Sequence, residues 1–316
     1  NTLTIATATG TYSGVMSGTG SLTISGGTQV LSGANTYSGA TTINSGATLT
    51  LSTAGAIANS NEVANSGTFD ISGVSSGASI ITLSGAGGVN IAGKTLTITN
   101  GSTTYSGVMS GASGNLTISG GNQTLSGANT YTGTTTVSGG TVVVRSLGTL
   151  GATTNNLALS GTASLDLQNG LTVGSLVMAL GNSIANSAGI SSLNVAGAST
   201  LAGSITTSGS QTYTGAVQLG SDLTLTTANG AVLFSSTVDN NSATPRALTI
   251  SSGSGNVTLT GAVGGGANGP LGAIIVNSTG TTAFSSAVTA ASVTTNAGGT
   301  VSLGGNVTTT GNQTYN

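Results

Sequence analysis

The chain has 316 residues and a net charge of −2, and charged side chains make up only 3% of it. A typical soluble domain has about 25% charged residues, so the chain lacks the clustered basic residues that nucleic-acid binding needs. Cysteine and histidine are absent, which excludes a disulfide framework and Ser-His-Asp or Cys-His catalysis. No apolar run approaches the roughly 18 residues of a membrane helix. We expect no nucleic-acid partner and no membrane insertion of this segment.

Apolar residues two positions apart recur along the whole chain. Leu3 and Ile5 form the first such pair, and Val301 and Leu303 form the last. A spacing of two places both side chains on one face of a β-strand, while the Thr, Ser and Asn residues between them face outward. Gly, Asn and Ser separate the pairs and favour turns. The pattern predicts short strands throughout and no helix of useful length.

The tyrosines all occur in one short motif. Each follows a threonine, and the first five precede Ser or Thr and then Gly. A chain that uses tyrosine in a single local motif is built from copies of one structural unit. Because the motif recurs so regularly, we interpret the tyrosines as structural residues at corners of the units, with hydroxyls that reach solvent or a backbone group. The six are Tyr12, Tyr37, Tyr105, Tyr131, Tyr213 and Tyr315.

Longer repeats organise the chain. Positions 11–18 return at 104–111, and positions 31–37 return at 125–131, at nearly the same offset. The second half holds four copies of a related phrase, which begin at Gly230, Gly255, Gly280 and Gly299. Repeats of this length stack as modules that share a continuous core. The predicted organisation is one continuous solenoid over residues 1–316, with related super-repeats at 1–93 and 94–187 and a second repeat type over 188–316, which holds a super-repeat at 211–312 and the next copy from 313.

Short strands at even spacing are compatible with a sandwich, a propeller or a solenoid. Aromatic residues are only 3% of the chain, which is too few for a sandwich core of this length. The Trp-Asp signature of propeller blades is absent. The sequence therefore predicts an all-β protein that forms a parallel β-solenoid, or β-helix, of stacked coils of about 19–27 residues, with about 13 to 15 coils in all.

The acidic residues are the only groups that hydrolytic chemistry could use, and glycoside hydrolysis needs two carboxyl groups that face each other. Glu62, Asp70 and Asp166 are far apart in sequence, whereas Asp222 and Asp239 are near enough in sequence to meet in stacked coils. We interpret them as solvated turn residues. Neither a zinc ligand set nor a calcium-binding glycine-aspartate repeat is present. We expect a chain that is not an enzyme and that holds no cofactor and no metal.

Both prolines lie in the two longer units of the second half. Positions 239–246 and 264–271 each begin at the same distance after the glycine that opens their unit, Gly230 or Gly255. The next unit is shorter by about this insertion, so two consecutive coils carry extra residues at the same corner. Insertions on one face of a solenoid often form its binding face, although surface loops also tolerate insertions that have no function. The candidate binding residues are Asp239, Asn240, Asn241, Pro245, Arg246, Asn268 and Pro270.

Two segments share a longer motif, Leu-Ser-Gly-Ala-Asn-Thr-Tyr followed by Ser or Thr and Gly, which begins at Leu31 and again at Leu125. The motif resembles the autotransporter-associated β-strand repeat, directly over about residues 20–51 and 114–144. That family occurs in the β-helical passenger regions of large bacterial surface proteins. Residues from about 211 onward are more loosely similar to the repeat arrays of giant filamentous-haemagglutinin-like adhesins.

The resemblance implies an extracellular segment on the bacterial outer surface, with a structural and adhesive role. Such a segment acts as a stalk or filament in cell-surface or cell–cell attachment. The expected partners are cell-surface or matrix components and the protein itself, through end-to-end stacking or continuation of the same chain. The alternative is a polysaccharide-binding or polysaccharide-cleaving β-helix protein. Ice binding by a flat threonine-rich face is disfavoured, because unequal coil lengths are expected to break the regular spacing of the threonines.

Overall fold

The structure, a computed structural model, describes residues 1–316 and contains 35 β-strands and no helix. The strand pairings are parallel from the first to the last. No helix long and apolar enough to cross a membrane is present. The all-β solenoid predicted from the sequence is therefore confirmed, with about 16 turns.

The period-two pattern decides which side chains form the core. Along one strand, Leu116 and Ile118 are 0% exposed, while Thr117 between them is half-buried on the outer face. The same alternation of buried and partly exposed residues recurs in most strands of the chain. Burying one Leu or Ile side chain contributes about 1.5–3 kcal/mol, so every coil adds its own apolar pairs to the core.

The chain forms two compact units, Asn1–Asn155 (unit 1) and Asn156–Asn316 (unit 2). The super-repeat boundaries expected from the sequence, at 93/94 and 187/188, stay predictions. The strands of unit 1 are β1 (Thr2–Ile5), β2 (Thr11–Tyr12), β3 (Ser21–Ile24), β4 (Gly27–Leu31), β5 (Thr41–Ile43), β6 (Ala47–Thr53), β7 (Val63–Asn65), β8 (Thr68–Val74), β9 (Gly77–Ile80), β10 (Leu83–Ser84), β11 (Gly88–Asn90), β12 (Thr95–Ile98), β13 (Thr104–Tyr105), β14 (Met109–Ser110), β15 (Asn115–Ile118), β16 (Asn122–Leu125) and β17 (Thr135–Val144).

The strands of unit 1 stack in four parallel series. The first is β1-β3-β5-β7-β10, and the second is β2-β4-β6-β8-β11-β14. The third is β9-β12-β15-β17, which begins where the chain has already completed several coils. The fourth is β13-β16-β17. Leu3 pairs with Leu22, and Leu22 pairs with Thr41, so the chain returns to the same position after each coil.

Unit 2 repeats this arrangement with longer strands. One series is β19-β22-β24-β26-β29-β31-β33, and two others run through β18, β23 and β25. The strands of unit 2 are β18 (Asn156–Leu167), β19 (Gly170–Val173), β20 (Ser175–Met178), β21 (Ser183–Ala185), β22 (Ser192–Val195), β23 (Ser199–Thr207), β24 (Gln211–Tyr213), β25 (Val217–Thr227), β26 (Val232–Phe234), β27 (Val238–Asn240), β28 (Leu248–Gly253), β29 (Val257–Leu259), β30 (Leu271–Ser278), β31 (Thr281–Phe284), β32 (Val288–Thr295), β33 (Thr300–Leu303), β34 (Val307–Thr309) and β35 (Gln313–Thr314).

Coil length varies, but strands of neighbouring coils stay aligned over most of their length. The register shifts at irregularities between Thr50 and Ser52, between Leu201 and Gly203, and between Ser251 and Gly253. A short coil joins Leu193 to its strand partner Gln211, whereas a much longer coil joins Ile250 to its partner Val276. Coils as short as the one that begins at Leu193 explain why the turns number about 16 and exceed the 13 to 15 expected. The extra residues of the long coils lie in the corners between strands.

Outward side chains therefore stay in columns despite the unequal coils. Thr4 lies beside Thr23, which lies beside Thr42, on the outer face of the first series in unit 1. On the third series, Thr97 pairs with Ser79 of the preceding coil and with Thr117 of the following one, although these two coils differ in length. At these positions unequal coils do not break the regular spacing of the outer residues, contrary to expectation, because the corners absorb the difference in coil length.

A buried amide ties three successive coils of unit 1 together. Gln123 is 0% exposed, and its Nε2 donates to the backbone oxygens of Thr103 at 2.9 Å and Leu83 at 3.0 Å. Those residues lie one and two coils earlier in the chain, at separations of 20 and 40 residues. Because a buried amide without partners is costly, these bonds fix the position of all three coils.

Candidate binding site

Two long loops project from one corner of unit 2. Loop 1 is residues 241–247, between β27 and β28, and loop 2 is residues 264–270, which ends where β30 begins. In the coil before them, β25 continues through the equivalent corner as one strand, and in the coil after them β32 does the same. We call loops 1 and 2, together with Asp222, Asp239 and Asn240, the loop corner.

The two loops lie side by side, as their equal offsets predicted. Asp239, in β27 just before loop 1, accepts a hydrogen bond at its Oδ1 from the backbone N–H of Gly266 in loop 2, at 2.8 Å. Asn268 of loop 2 donates from its Nδ2 to the backbone oxygen of Asn240, also at 2.8 Å. A Cβ atom at Gly266 would lie 2.8 Å from the carboxyl carbon of Asp239, so a larger residue here would displace this carboxylate.

Asn240 holds the base of both loops. Its side chain is 1% exposed. The Nδ2 donates to the backbone oxygens of Pro270 at 2.7 Å and Gly269 at 3.3 Å, and the Oδ1 accepts from the backbone N–H of Arg246 at 2.9 Å. The amide of Asn240 is thus engaged by the protein itself, so this residue positions the loops and leaves ligand contacts to its neighbours.

The other candidate residues form the rim of the loops. Asn241, Pro245 and Pro270 are exposed, whereas Asp239 and Asn268 are half-buried. Pro245 and Pro270 are the only prolines of the chain, and neither can donate a backbone hydrogen bond. The rim therefore combines polar side chains with two apolar rings.

Charge is concentrated at the loop corner. Unit 2 has four charged side chains, and three of them, Asp222, Asp239 and Arg246, lie at this corner. Asp222 is exposed, and its Oδ1 accepts from the backbone N–H of Ala247 at 2.9 Å. Arg246 is half-buried and makes no ion pair, and its buried Nε has no hydrogen-bond partner in the protein.

Asp222 was not among the binding residues predicted from the sequence. It belongs to the coil before loop 1, and its place follows from the pairing of Leu223 with Leu248, which puts Asp222 opposite Ala247. The opening glycines Gly230 and Gly255 are separated by the same 25 residues that separate Asp222 from Ala247 in loop 1. Counting this distance back from loop 1 could have identified Asp222 from the sequence. The same alignment places Asp239 opposite Gln218, so Asp222 and Asp239 are not opposed as a catalytic carboxylate pair requires.

The remaining acidic residues take part in local structure. Asp166 accepts hydrogen bonds from the backbone N–H and the hydroxyl of Ser187 and from Nε2 of Gln168, at 2.6 to 2.9 Å. Partial burial alone would raise the pKa of Asp166, but these bonds outweigh it and lower the pKa below its usual value. No group of three or more acidic, His or Cys residues comes together as metal ligands.

Four of the six motif tyrosines are buried in the core. Tyr105 donates to the backbone oxygen of Gly87 at 2.6 Å, as the sequence interpretation anticipated. Tyr37 and Tyr131 instead share hydrogen bonds with threonine hydroxyls, and Tyr213 donates to the side-chain oxygen of a glutamine. Tyr12 is 43% exposed. The buried rings offer no stacking platform for a ligand.

Comparison with known proteins connects two parts of unit 1 to a family of repeats. Residues 25–51 and 110–144 match the passenger-associated-transport-repeat. Over 176 residues the chain is 32% identical to the adhesin BmaC autotransporter of Brucella suis biovar 1 (strain 1330). That match covers 55% of this chain and 5% of the relative, so the chain spans about a twentieth of the relative's length. No solved structure matches the chain.

Proposed function

We propose that the chain is an extracellular adhesive segment of a large bacterial surface protein, because residues 25–51 and 110–144 match the passenger-associated-transport-repeat. In this function the β-solenoid acts as a stalk or filament that attaches the cell to surfaces or to other cells. The observation that carries the proposal is the coincidence of a parallel β-solenoid with similarity to an autotransporter named as an adhesin. Cell-surface or matrix components, and further coils of the same kind, are the partners we propose.

The stacking of the coils supports a mechanical role. Each parallel strand donates and accepts backbone hydrogen bonds with the neighbouring coils, as in the pairing of Leu3 with Leu22, so a pull on the segment is resisted by many bonds at once. With 3% charged residues, the cohesion between coils depends little on salt. The chain has only three Lys and Arg residues, which leaves few sites for trypsin-like proteases outside the cell.

The same features favour a function without catalysis. The chain has no histidine or cysteine, and the five acidic residues are engaged singly, each with its own neighbours, as with Asp166 and Ser187. Cleavage of a polysaccharide would require two opposed carboxyl groups, and Asp222 and Asp239 have different strand partners. Binding of a polysaccharide, in contrast, requires only hydrogen-bonding groups and apolar contact, which the loop corner has.

The proposal is tested by coupling the purified full chain to beads and measuring attachment to cultured cells and to extracellular matrix. Beads that carry the chain are expected to attach several times more often than uncoated beads. Beads coated with the variant Leu116→Asp, in which the core is disrupted, are the matched control for nonspecific protein adsorption. Equal attachment of all three kinds of bead contradicts an adhesive function for this segment.

A further inference from the structure

The loop corner differs in chemistry from the rest of the outer surface, where threonine and serine predominate. We propose that it binds a neutral, hydroxyl-rich glycan through Asp222, Asp239 and Arg246. This inference rests on the proposed adhesive function and specifies the chemical class of the partner. It follows from four properties of the corner: its rigidity, its hydrogen-bonding groups, its apolar rings and its net charge.

The first property is rigidity. Loop 2 is bonded to β27, because the backbone N–H of Gly266 donates to Asp239 and the amide of Asn268 donates to the backbone oxygen of Asn240. The buried amide of Asn240 adds three more bonds, one with Arg246 in loop 1 and two with Gly269 and Pro270 at the end of loop 2. Loops that serve only as surface insertions need no such bracing, because they tolerate added residues at small cost. Loops fixed before binding avoid the entropy loss that flexible loops suffer when they bind a ligand.

The second property is the set of free hydrogen-bonding groups. Asp222 and Asp239 each use one carboxylate oxygen for a backbone N–H, and the second oxygen of each has no partner in the protein. Arg246 makes no ion pair, although a guanidinium carries five donors. A sugar hydroxyl both donates and accepts, so acceptors and donors on one rigid corner match a ligand with several hydroxyls.

The third property is apolar surface beside these groups. Pro245 and Pro270, both exposed, lie one in each loop. Binding sites for small ligands combine apolar walls with a few well-placed polar groups. Proline rings can contact the C–H face of a sugar ring, while the polar groups of the corner bind its hydroxyls. All aromatic residues of β24, β26 and β31 are buried, so the prolines are the apolar groups that face a ligand here.

The fourth property is net charge, which decides between neutral and acidic glycans. Two carboxylates and one guanidinium give the loop corner a formal charge of −1. Asp166, the other charged residue of unit 2, is bonded to Ser187 at a different corner. A uronate or sulfate group would meet the two carboxylates of the corner, and like charges brought together weaken binding. A neutral glycan avoids this repulsion.

The experiment measures binding of the full chain to immobilised neutral polysaccharides, namely a glucan, a mannan and a galactan, and to two acidic ones, a polyuronate and heparin. We expect binding to at least one neutral polysaccharide and weaker binding to both acidic ones. The variants Arg246→Ala and Asp222→Ala should each bind about tenfold more weakly, since each removes a charged hydrogen-bonding group. The matched control Asp166→Ala removes a charge from another corner of unit 2 and should change binding less than about twofold.

The inference is overturned by any of three results with folded protein, as judged by an unchanged melting temperature. These are binding to no neutral polysaccharide, preference for the acidic ones, and loss of binding that is equal in the control and the corner variants. Should Arg246→Ala prove unfolded, Asp222→Ala at the exposed position decides alone. If coated beads attach to cells but no neutral glycan binds, this inference fails while the adhesive function stands. If a neutral glycan binds but coated beads do not attach, the adhesive function fails while glycan binding stands.

Discussion

The hydroxyls of Tyr37 and Thr41 lie 2.6 Å apart in the core, and Tyr131 and Thr135 repeat the contact at the same 2.6 Å in a later coil. Both pairs lie within the segments that match the passenger-associated-transport-repeat. Thr135 in turn donates to the backbone oxygen of Leu150 at 3.0 Å. In these two copies the tyrosine motif is therefore followed by a threonine, four positions after the tyrosine, that satisfies the buried hydroxyl.

The first prediction concerns these hydroxyl pairs. The variant Thr135→Val keeps the size of the side chain but leaves the buried hydroxyl of Tyr131 without its partner, which should lower the free energy of unfolding by about 1–3 kcal/mol. Tyr131→Phe removes the hydroxyl itself and should cost about 1 kcal/mol. Urea denaturation measures the free energy of unfolding of both variants. Tyr12→Phe, at an exposed position, is the control and should have no effect; an equal loss in Tyr12→Phe contradicts the assignment.

The second prediction concerns stability at alkaline pH. Burial raises the pKa of Tyr37 from 10.0 to about 12, although its bond with Thr41 lowers it, and burial raises the pKa values of Tyr105, Tyr131 and Tyr213 further. Because these groups ionise more readily in the unfolded chain, their contribution to stability is complete below about pH 10 and declines above it. The contribution of Tyr37 is lost as the pH rises through about 12, and those of the other three are lost at higher pH.

Urea midpoints measured between about pH 7 and pH 12 test this. The midpoint should stay nearly constant from pH 7 to about pH 9.5, since the chain has no histidine, and then fall steeply. The variant Tyr105→Phe should have a shallower fall than the parent chain, because it removes one of the four buried phenols. A midpoint that declines steadily from pH 7 is the opposite of what is expected.

The third prediction uses the two faces of one strand. Leu116→Asp puts a carboxylate into the core of β15 and should destabilise the chain by more than about 4 kcal/mol or prevent folding. Thr117→Asp changes the neighbouring residue on the outer face and should cost less than about 0.5 kcal/mol. Thermal melting monitored by circular dichroism distinguishes them. Similar losses from both substitutions would mean that the strand faces are wrongly assigned.

The fourth prediction addresses the brace at the base of the loops. Arg246 is the only Lys or Arg residue of unit 2, so trypsin cleavage within this unit reports on loop 1 alone. Asn240→Ala removes three hydrogen bonds and should speed cleavage after Arg246 by about tenfold or more, because proteolysis follows the population of the opened loop. The control Asn241→Ala changes an exposed neighbour. Equal cleavage rates in the two variants would show that Asn240 does not hold the loops.

The sequence was sufficient to predict the strands and the place of the two insertions. Pairs such as Leu116 and Ile118 identify the core face because strand periodicity is a local property. The role of Asn240 was not predictable, since its partners Gly269 and Pro270 lie in the next coil and depend on how that coil is aligned. Asp222 was missed at the loop corner for the same reason. The hydroxyls of Tyr37 and Tyr131 bond to buried threonines, whereas the sequence interpretation had assigned the tyrosine hydroxyls to solvent or backbone groups.

Strands of neighbouring coils pair even where the coils differ in length, and this distinguishes two kinds of change that the sequence can undergo. A substitution inside a strand affects the coils on both sides, because its side chain shares their core. An insertion or deletion at a corner leaves those neighbours where they were. Such a chain can acquire, exchange or lose a surface loop in a single event without refolding the scaffold, so new contact surfaces can arise while the coils that carry them stay the same.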